Sequence, residues 1–288
     1  MREAVAAEID RMPNTALVAL ARRLAMAGED WSYYESDPVA RRLHHVLADH
    51  ILKPGSRLEG ADHVHAVTGK PVVIFANHLS YSDANLVEVL LHRAGCDDFA
   101  HRMTVIAGPK VYSSLKRRFS SLCFATIKTP QSSGVASEDA VMNPREVVRA
   151  ARQSIDSAQD RLRQGDALLV FAEGTRSRNK GLQQMLSGVS RYLDGDGTWI
   201  LPIGITGTEE LFPVGDDTLH PVEAIARVGP PIDASRLRAQ CHGDRRLIMD
   251  AVGVAIAEQL PDDYKGVYGP DGEGLDEGRK ALLAVRTS

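Results

Sequence analysis

Apolar residues follow two rhythms along this chain, and its elements begin and end where one rhythm gives way to the other. Val72–Ala76 is a short run rich in β-branched residues, and it predicts a buried strand. Leu86, Val87, Leu90 and Leu91 then recur at helical spacing. The polar stretch between them, holding His78 and Asp83, is therefore a strand-to-helix turn. Further apolar runs predict strands at Met103–Ala107, 122–127, 167–171, 199–205 and 222–228.

Helical spacing predicts a helix over 1–28, broken near Pro13, with Leu17, Leu20, Leu24 and Ala27 on one face and Arg22 and Arg23 on another. A second helix, 37–52, opens at Asp37 and Pro38 and stops before Pro54 and Gly55. A short basic helix is expected at 111–119, and a polar loop at 129–142. Asn143, Pro144 and Glu146 then supply an N-cap, a first-turn proline and a capping-box acid. They open a long helix whose stripe is Val147, Ala151, Ile155, Ala158 and Leu162, and Gly165 ends it. Another helix is expected at 244–260, and a short one inside the polar tail. The alternation after residue 55 predicts an α/β fold: a mixed, largely parallel central sheet flanked by helices. The expected organisation is an N-terminal helical appendage at 1–54, one α/β domain at 55–268 and a tail at 269–288.

Composition narrows the class. A chain of 288 residues, 43% hydrophobic and 25% charged, builds one sizeable core. Cys96, Cys123 and Cys241 are scattered without metal-ligand spacing, which points to a reducing compartment and to no zinc site. His44, His45, His50, His63 and His65 lack a carboxylate framework, so solvated or helix-packing roles outweigh a metal cluster. A net charge of −4 gives no sign of nucleic-acid binding. Arg22 and Arg23 interrupt the longest N-terminal apolar run, which argues against a spanning helix. The expectation is a cytoplasmic protein, peripheral at most on the inner face of a membrane, through its N-terminal helices and Lys116, Arg117 and Arg118.

Candidate chemistry starts with spacing, and the chain supplies its own controls. His44 and Asp49, His78 and Asp83, and His92 and Asp97 all share one interval. Residues five apart on a helix are separated by roughly 140°, so His44 and Asp49 should point apart. His92 and Asp97 straddle a helix end at Gly95 with no strand feeding them. Only His78 leaves a strand tip, where the chain can curl and return a carboxylate to the imidazole. The bland reading of Asp83 is a helix N-cap, a role compatible with orienting the imidazole. Three loops, at 78–83, 108–110 and 173–176, follow predicted strands, and parallel strands would bring them to one edge. Each has a bland reading as well: Gly174 as a turn, Arg176 and Lys128 as solvated charges, Lys110 as a helix-start cation.

The sequence resembles the glycerolipid acyltransferases, which include lysophosphatidic acid and soluble plastid-type glycerol-3-phosphate acyltransferases. N-H-L-S-Y-S-D at 77–83 resembles the family's first motif, with Asn77 and Ser80 as supporting residues. F-A-E-G-T-R-S at 171–177 resembles its third, and L-P-I-G-I at 201–205, with Pro202, its fourth. The resemblance spans about residues 56–268. The second motif departs: L-C-F-A-T-I-K leaves Lys128 at the usual arginine's place, closer to the soluble plastid-type branch.

The resemblance implies direct acyl transfer, with His78 as general base and Asp83 orienting it. Acyl-CoA or acyl carrier protein would be the donor and co-substrate, a glycerol-phosphate-type compound the acceptor, and no cofactor or metal would be needed. Arg176, Lys128 and Lys110 would bind the acceptor's phosphate, while Glu173, Gly174 and Thr175 shape that loop or meet an acceptor hydroxyl. Lys116, Arg117 and Arg118 could also receive the carrier protein or the phosphates of CoA. Imidazole, with an unperturbed pKa of about 6.5, suits a base near neutrality, and such a base contributes roughly 10² to 10⁴ in rate. The absence of G-x-S-x-G counts against an α/β-hydrolase. A thioester hydrolase and a non-catalytic binding module are the rival classes, separated by release of free acid and by lack of turnover.

Overall fold

The computed structural model describes residues 1–130, 143–213 and 218–287; past Pro130 the expected loop at 129–142 lies outside them. Among the described residues nine strands form one sheet. They are β1 (Tyr33–Tyr34), β2 (Arg57–Glu59), β3 (Val72–Ala76), β4 (Met103–Ala107), β5 (Ala125–Lys128), β6 (Ala167–Val170), β7 (Trp199–Thr206), β8 (Ile225–Val228) and β9 (Ile232–Asp233). Their order is β1-β5-β4-β6-β3-β7-β8-β2, with β9 also paired to β7. The central five, from β5 to β7, are mutually parallel. β1 runs antiparallel to β5, and β8 and β9 antiparallel to β7. This is the mixed, largely parallel α/β sheet expected from the sequence.

Helices cover both faces of a parallel sheet, so its strands read as continuous apolar runs. β3 is buried at every position. Ile74 and Phe75 are wholly buried, and each such side chain contributes about 1.5–3 kcal/mol by leaving water. The helix Asp83–Arg93 is buried from its first residue through Leu91, and the helix Arg245–Ala257 from Ile248 onward. The larger of two apolar clusters among the described residues includes Leu20 near one end of the chain and Leu282 near the other.

The predicted caps form. Asp37 Oδ1 accepts from Val39 N (2.9 Å) and Ala40 N (3.1 Å) to start the helix Pro38–Ile51. Asn143 and Glu146 exchange capping-box bonds at the head of the helix Pro144–Arg163. The first helix does break at Pro13, into Arg2–Asp10 and Asn14–Met26. The basic helix starts later than expected, at Leu115–Leu122, because Pro109–Tyr112 makes a 3₁₀ turn and Ser114 then caps the helix. β5 is displaced accordingly. β1 was not legible, since two residues carry no period; it forms by pairing along the open edge of β5, and it adds a strand to a segment expected to be helical. Among the described residues no helix is long and apolar enough to cross a membrane.

Candidate active site

Loops follow the C-terminal ends of β3, β4, β6 and β7 on one edge of the sheet, where open α/β sheets bind ligands. β3 ends at Ala76, and the next residue continues the sheet with its side chain. Asn77 Nδ2 donates to Ile205 O (2.9 Å), and Asn77 Oδ1 accepts from Ile205 N (2.7 Å). The carboxamide thus makes the two bonds of a further strand residue, and the backbone is released to turn at His78. His78 N donates to Glu173 Oε1 (2.7 Å), and the His78 carbonyl accepts from Ser177 N (2.8 Å). Both backbone groups of His78 are therefore tied to the loop after β6.

Asp83 is not the helix cap. Ser82 occupies that position, and Asp83 is the first residue of the helix, with its carboxylate folded back into the turn. Asp83 Oδ2 accepts from His78 Nδ1 (2.8 Å), Leu79 N (2.7 Å) and Ser80 N (2.9 Å). Oδ1 accepts from Thr208 Oγ1 (2.6 Å). A carboxylate has about four acceptor sites, and these four donors engage a fully buried one (0% exposed). An ionised carboxylate only accepts, so Nδ1 donates to it, and in the neutral ring Nε2 is then the acceptor. Among the described residues Nε2 has no hydrogen-bond partner, and the ring stacks on Phe171 (4.2 Å between centres, 19° between planes).

Phe171 and Thr208 were missed in the sequence, and strand register explains both. Phe75 lies opposite Val170, so the residue after β6 comes beside the residues after β3. Thr208 follows β7 through Gly207, which holds φ +85° with its Cα so near Glu223 O that a Cβ would stand 2.1 Å from it. The backbone amides of His78, Leu79 and Ser80 are all engaged inside the site, donated to Glu173 and Asp83.

Glu173 is used in building the loop. Its Oε1 takes His78 N and its Oε2 takes Gln183 N (2.8 Å), and burial pushes the carboxyl up to about 7. Gly174 is in the left-handed region (φ +73°), where a Cβ would strike Leu186, and the Thr175 carbonyl accepts from Gln183 Nε2 (3.4 Å). Ser80 is buried within the turn, and Pro202 lies in β7 opposite Phe75.

The cations divide. The Arg176 guanidinium carbon stands 3.8 Å from the centre of the Tyr81 ring, inside the His78 turn. Arg117 lies against the same ring at 4.5 Å. Lys128 is not with them: its Nζ donates to Gly28 O (2.5 Å) and sits over Trp31 (4.4 Å), and burial lowers its pKa. Lys110 contributes its carbonyl, which accepts from Arg117 Nη1 (3.2 Å). The basic helix does not present one patch either. Lys116 lies over Phe212, Arg117 over Tyr81, and Arg118 donates to the Leu24 and Ala25 carbonyls at the end of a helix.

The controls give one correction. His44 Nε2 bonds the Asn85 carbonyl while Asp49 pairs with Arg93, so those two point apart as expected. His92 and Asp97, however, do meet as an ion pair. The bend after the helix suffices to return the carboxylate without a strand. His45, His50, His63 and His65 take separate partners: Glu88, the Val46 carbonyl, the Val228 carbonyl and Cys96.

Among solved structures the chain is similar to the 1-acyl-sn-glycerophosphate (LPA) acyltransferase PlsC from Thermotoga maritima. Identity is 19%, the match covers 75% of this chain and 81% of that one, and the TM-score is 0.48. No curated protein matches the chain. The family model described as Acyltransferase matches residues 56–206, from β2 through the end of β7 and so through the His78 turn and the 173–177 loop. More than half of the sequence lies within that match, and the chain belongs to the acyltransferase family.

Proposed function

We propose that this acyltransferase moves a fatty acyl group from acyl-CoA or acyl carrier protein to a hydroxyl of a glycerol-phosphate-type acceptor, 1-acylglycerol 3-phosphate or glycerol 3-phosphate. The observation that carries the reading is the Nδ1 to Asp83 bond, which leaves Nε2 free to accept a proton in the same turn whose Tyr81 ring lies against Arg176. The acceptor hydroxyl gives its proton to Nε2 as its oxygen attacks the thioester carbon. The buried carboxylate of Asp83 stabilises the imidazolium that forms. Collapse of the tetrahedral intermediate breaks the carbon–sulfur bond, and the imidazolium returns the proton to the leaving thiolate. Among the described residues no serine or cysteine hydrogen-bonds Nε2, which supports direct transfer over an acyl-enzyme. Arg176 holds the acceptor's phosphate, while Lys110 and Lys128 play no direct part in this reading.

The test is product identification by mass after a panel of acceptors is offered with one long-chain acyl-CoA. Arg176→Ala should raise the acceptor KM far more than the donor KM. Charge-assisted contacts of this kind are worth about 1.5–3 kcal/mol. Free acid formed without an acceptor would instead support thioester hydrolysis. The reading includes a cytoplasmic enzyme with peripheral membrane contact at most, and retention on liposomes that resists salt would overturn that part.

A further inference from the structure

Arg176 has a companion outside every motif of the sequence. Arg117 comes from the helix Leu115–Leu122, which follows β4, whereas Arg176 comes from the loop after β6. Their guanidinium carbons lie 4.5 and 3.8 Å from the centre of one ring, Tyr81, three residues beyond His78. Among the described residues neither meets a carboxylate. Other arginines of this chain do: Arg161 pairs with Asp166, Arg246 with Asp250, Arg23 with Asp37 and Arg41 with Glu88. Two like charges gathered on one ring repel each other, and a doubly charged anion bound by both reverses the sign of that energy.

Arg117 is also held in place. Its Nη1 donates to Lys110 O (3.2 Å) and Ser113 Oγ (3.1 Å), which leaves most of its five N–H donors for a ligand. Contact with the Tyr81 ring restrains both guanidinium groups before a ligand arrives, and planar donor forks match phosphate oxygens. Lys128 is engaged by the Gly28 carbonyl and Trp31 and supplies no charge here.

We infer that Arg117 and Arg176, braced by Tyr81, form a two-arginine clamp for the phosphate monoester of the acceptor, an inference that rests on the acceptor class proposed above. The position favours the acceptor over the donor. Arg176 adjoins Ser177, whose amide binds the His78 carbonyl, so an anion on the clamp is close to the base. A glycerol unit links a phosphate to a reacting hydroxyl over that short span. The phosphates of acyl-CoA are separated from its thioester by the whole pantetheine arm.

The experiment compares 1-acylglycerol 3-phosphate with the neutral monoacylglycerol, using the full chain and one long-chain acyl-CoA. Arg117→Gln should lower kcat/KM for the phosphorylated acceptor by roughly 10- to 100-fold, mainly through KM, and affect the neutral one far less. Arg117→Lys should recover only part of the loss, since an ammonium lacks the fork. Should Arg117→Gln fail to fold, Tyr81→Leu at an exposed side chain carries the test, with a smaller fall in the same ratio. If Arg176→Gln lowers the phosphorylated-to-neutral ratio and Arg117→Gln and Tyr81→Leu do not, the clamp is wrong and the acceptor class stands. If none of the three lowers it, or no phosphorylated acceptor turns over, the acceptor class falls with the clamp. A rise confined to the donor KM overturns the clamp by assigning the anion to CoA.

Discussion

His78 with Asp83 and His92 with Asp97 have the same residues, the same interval and the same Nδ1-to-carboxylate pairing, and each imidazole lies against another ring, yet their carboxylates are held very differently. The Asp83 side chain is wholly buried, and two amides and the Thr208 hydroxyl hold it from three directions. The Asp97 side chain is 51% exposed and the His92 side chain 43% exposed. An exposed ion pair of this kind is worth about 0–1 kcal/mol. Immobilisation of the carboxylate, more than the pairing, separates a candidate catalytic dyad from a surface contact. Its cause lies in the sheet: β3 delivers His78, β7 delivers Thr208, and nothing comparable converges on Asp97.

The largest test of that contrast exchanges the histidines. His78→Ala should lower acyl transfer by roughly 10² to 10⁴ while circular dichroism and melting stay near wild type. His92→Ala should change the rate by no more than about twofold, as for a typical surface substitution. A well-folded His78→Ala enzyme with near-wild-type turnover would falsify the catalytic reading of the turn.

Next comes the support of the carboxylate. Asp83→Asn should cost about 10²-fold or more in kcat, because an amide cannot stabilise the imidazolium, whereas Asp97→Asn should cost nothing measurable. Thr208→Val removes one donor from the buried carboxylate, with an expected loss of about tenfold, and Thr208→Ser should restore most of it. Equal rates for the valine and serine variants would make Thr208 a packing residue only.

The smallest effect concerns stability and pH. Burial raises the Glu173 carboxyl from 4.5 to about 7, so the folded protein holds a proton there that the unfolded chain has released. Stability associated with this group is therefore full below pH 4.5 and declines as pH rises through about 7, by on the order of 3 kcal/mol. Subtracting the Tm-against-pH curve of Glu173→Gln from that of the wild type should isolate this decline. Parallel curves between those two pH values would show that Glu173 is not its source.

The parallel sheet, the His78 turn and the 173–177 loop were legible because each lies within one continuous stretch whose pattern changes at its ends. The features that escaped depend on strand order. Phe171 reaches the imidazole because β6 neighbours β3, and Thr208 reaches Asp83 because β7 flanks the other side. Arg117 read as one of three adjacent surface cations, yet successive helical residues point some 100° apart, so its neighbours went to Phe212 and to helix-end carbonyls. Lys128 occupied the expected place in the sequence, but the N-terminal segment that pairs with β5 captured its ammonium. Asp83 reads as a cap in the sequence because its preference for a helix start does not say which way the carboxylate faces.

The bonds from the His78 backbone to Glu173 and Ser177 tie the turn to the arginine loop, so the backbone spacing between the base and the residue that carries the Arg176 guanidinium is set by the fold. For the proposed acceptor this spacing acts as a ruler. A hydroxyl one carbon too near its phosphate, or one too far, would be gripped at one end and out of register at the other. Regioselectivity would then be decided by the same backbone bonds that fold the turn.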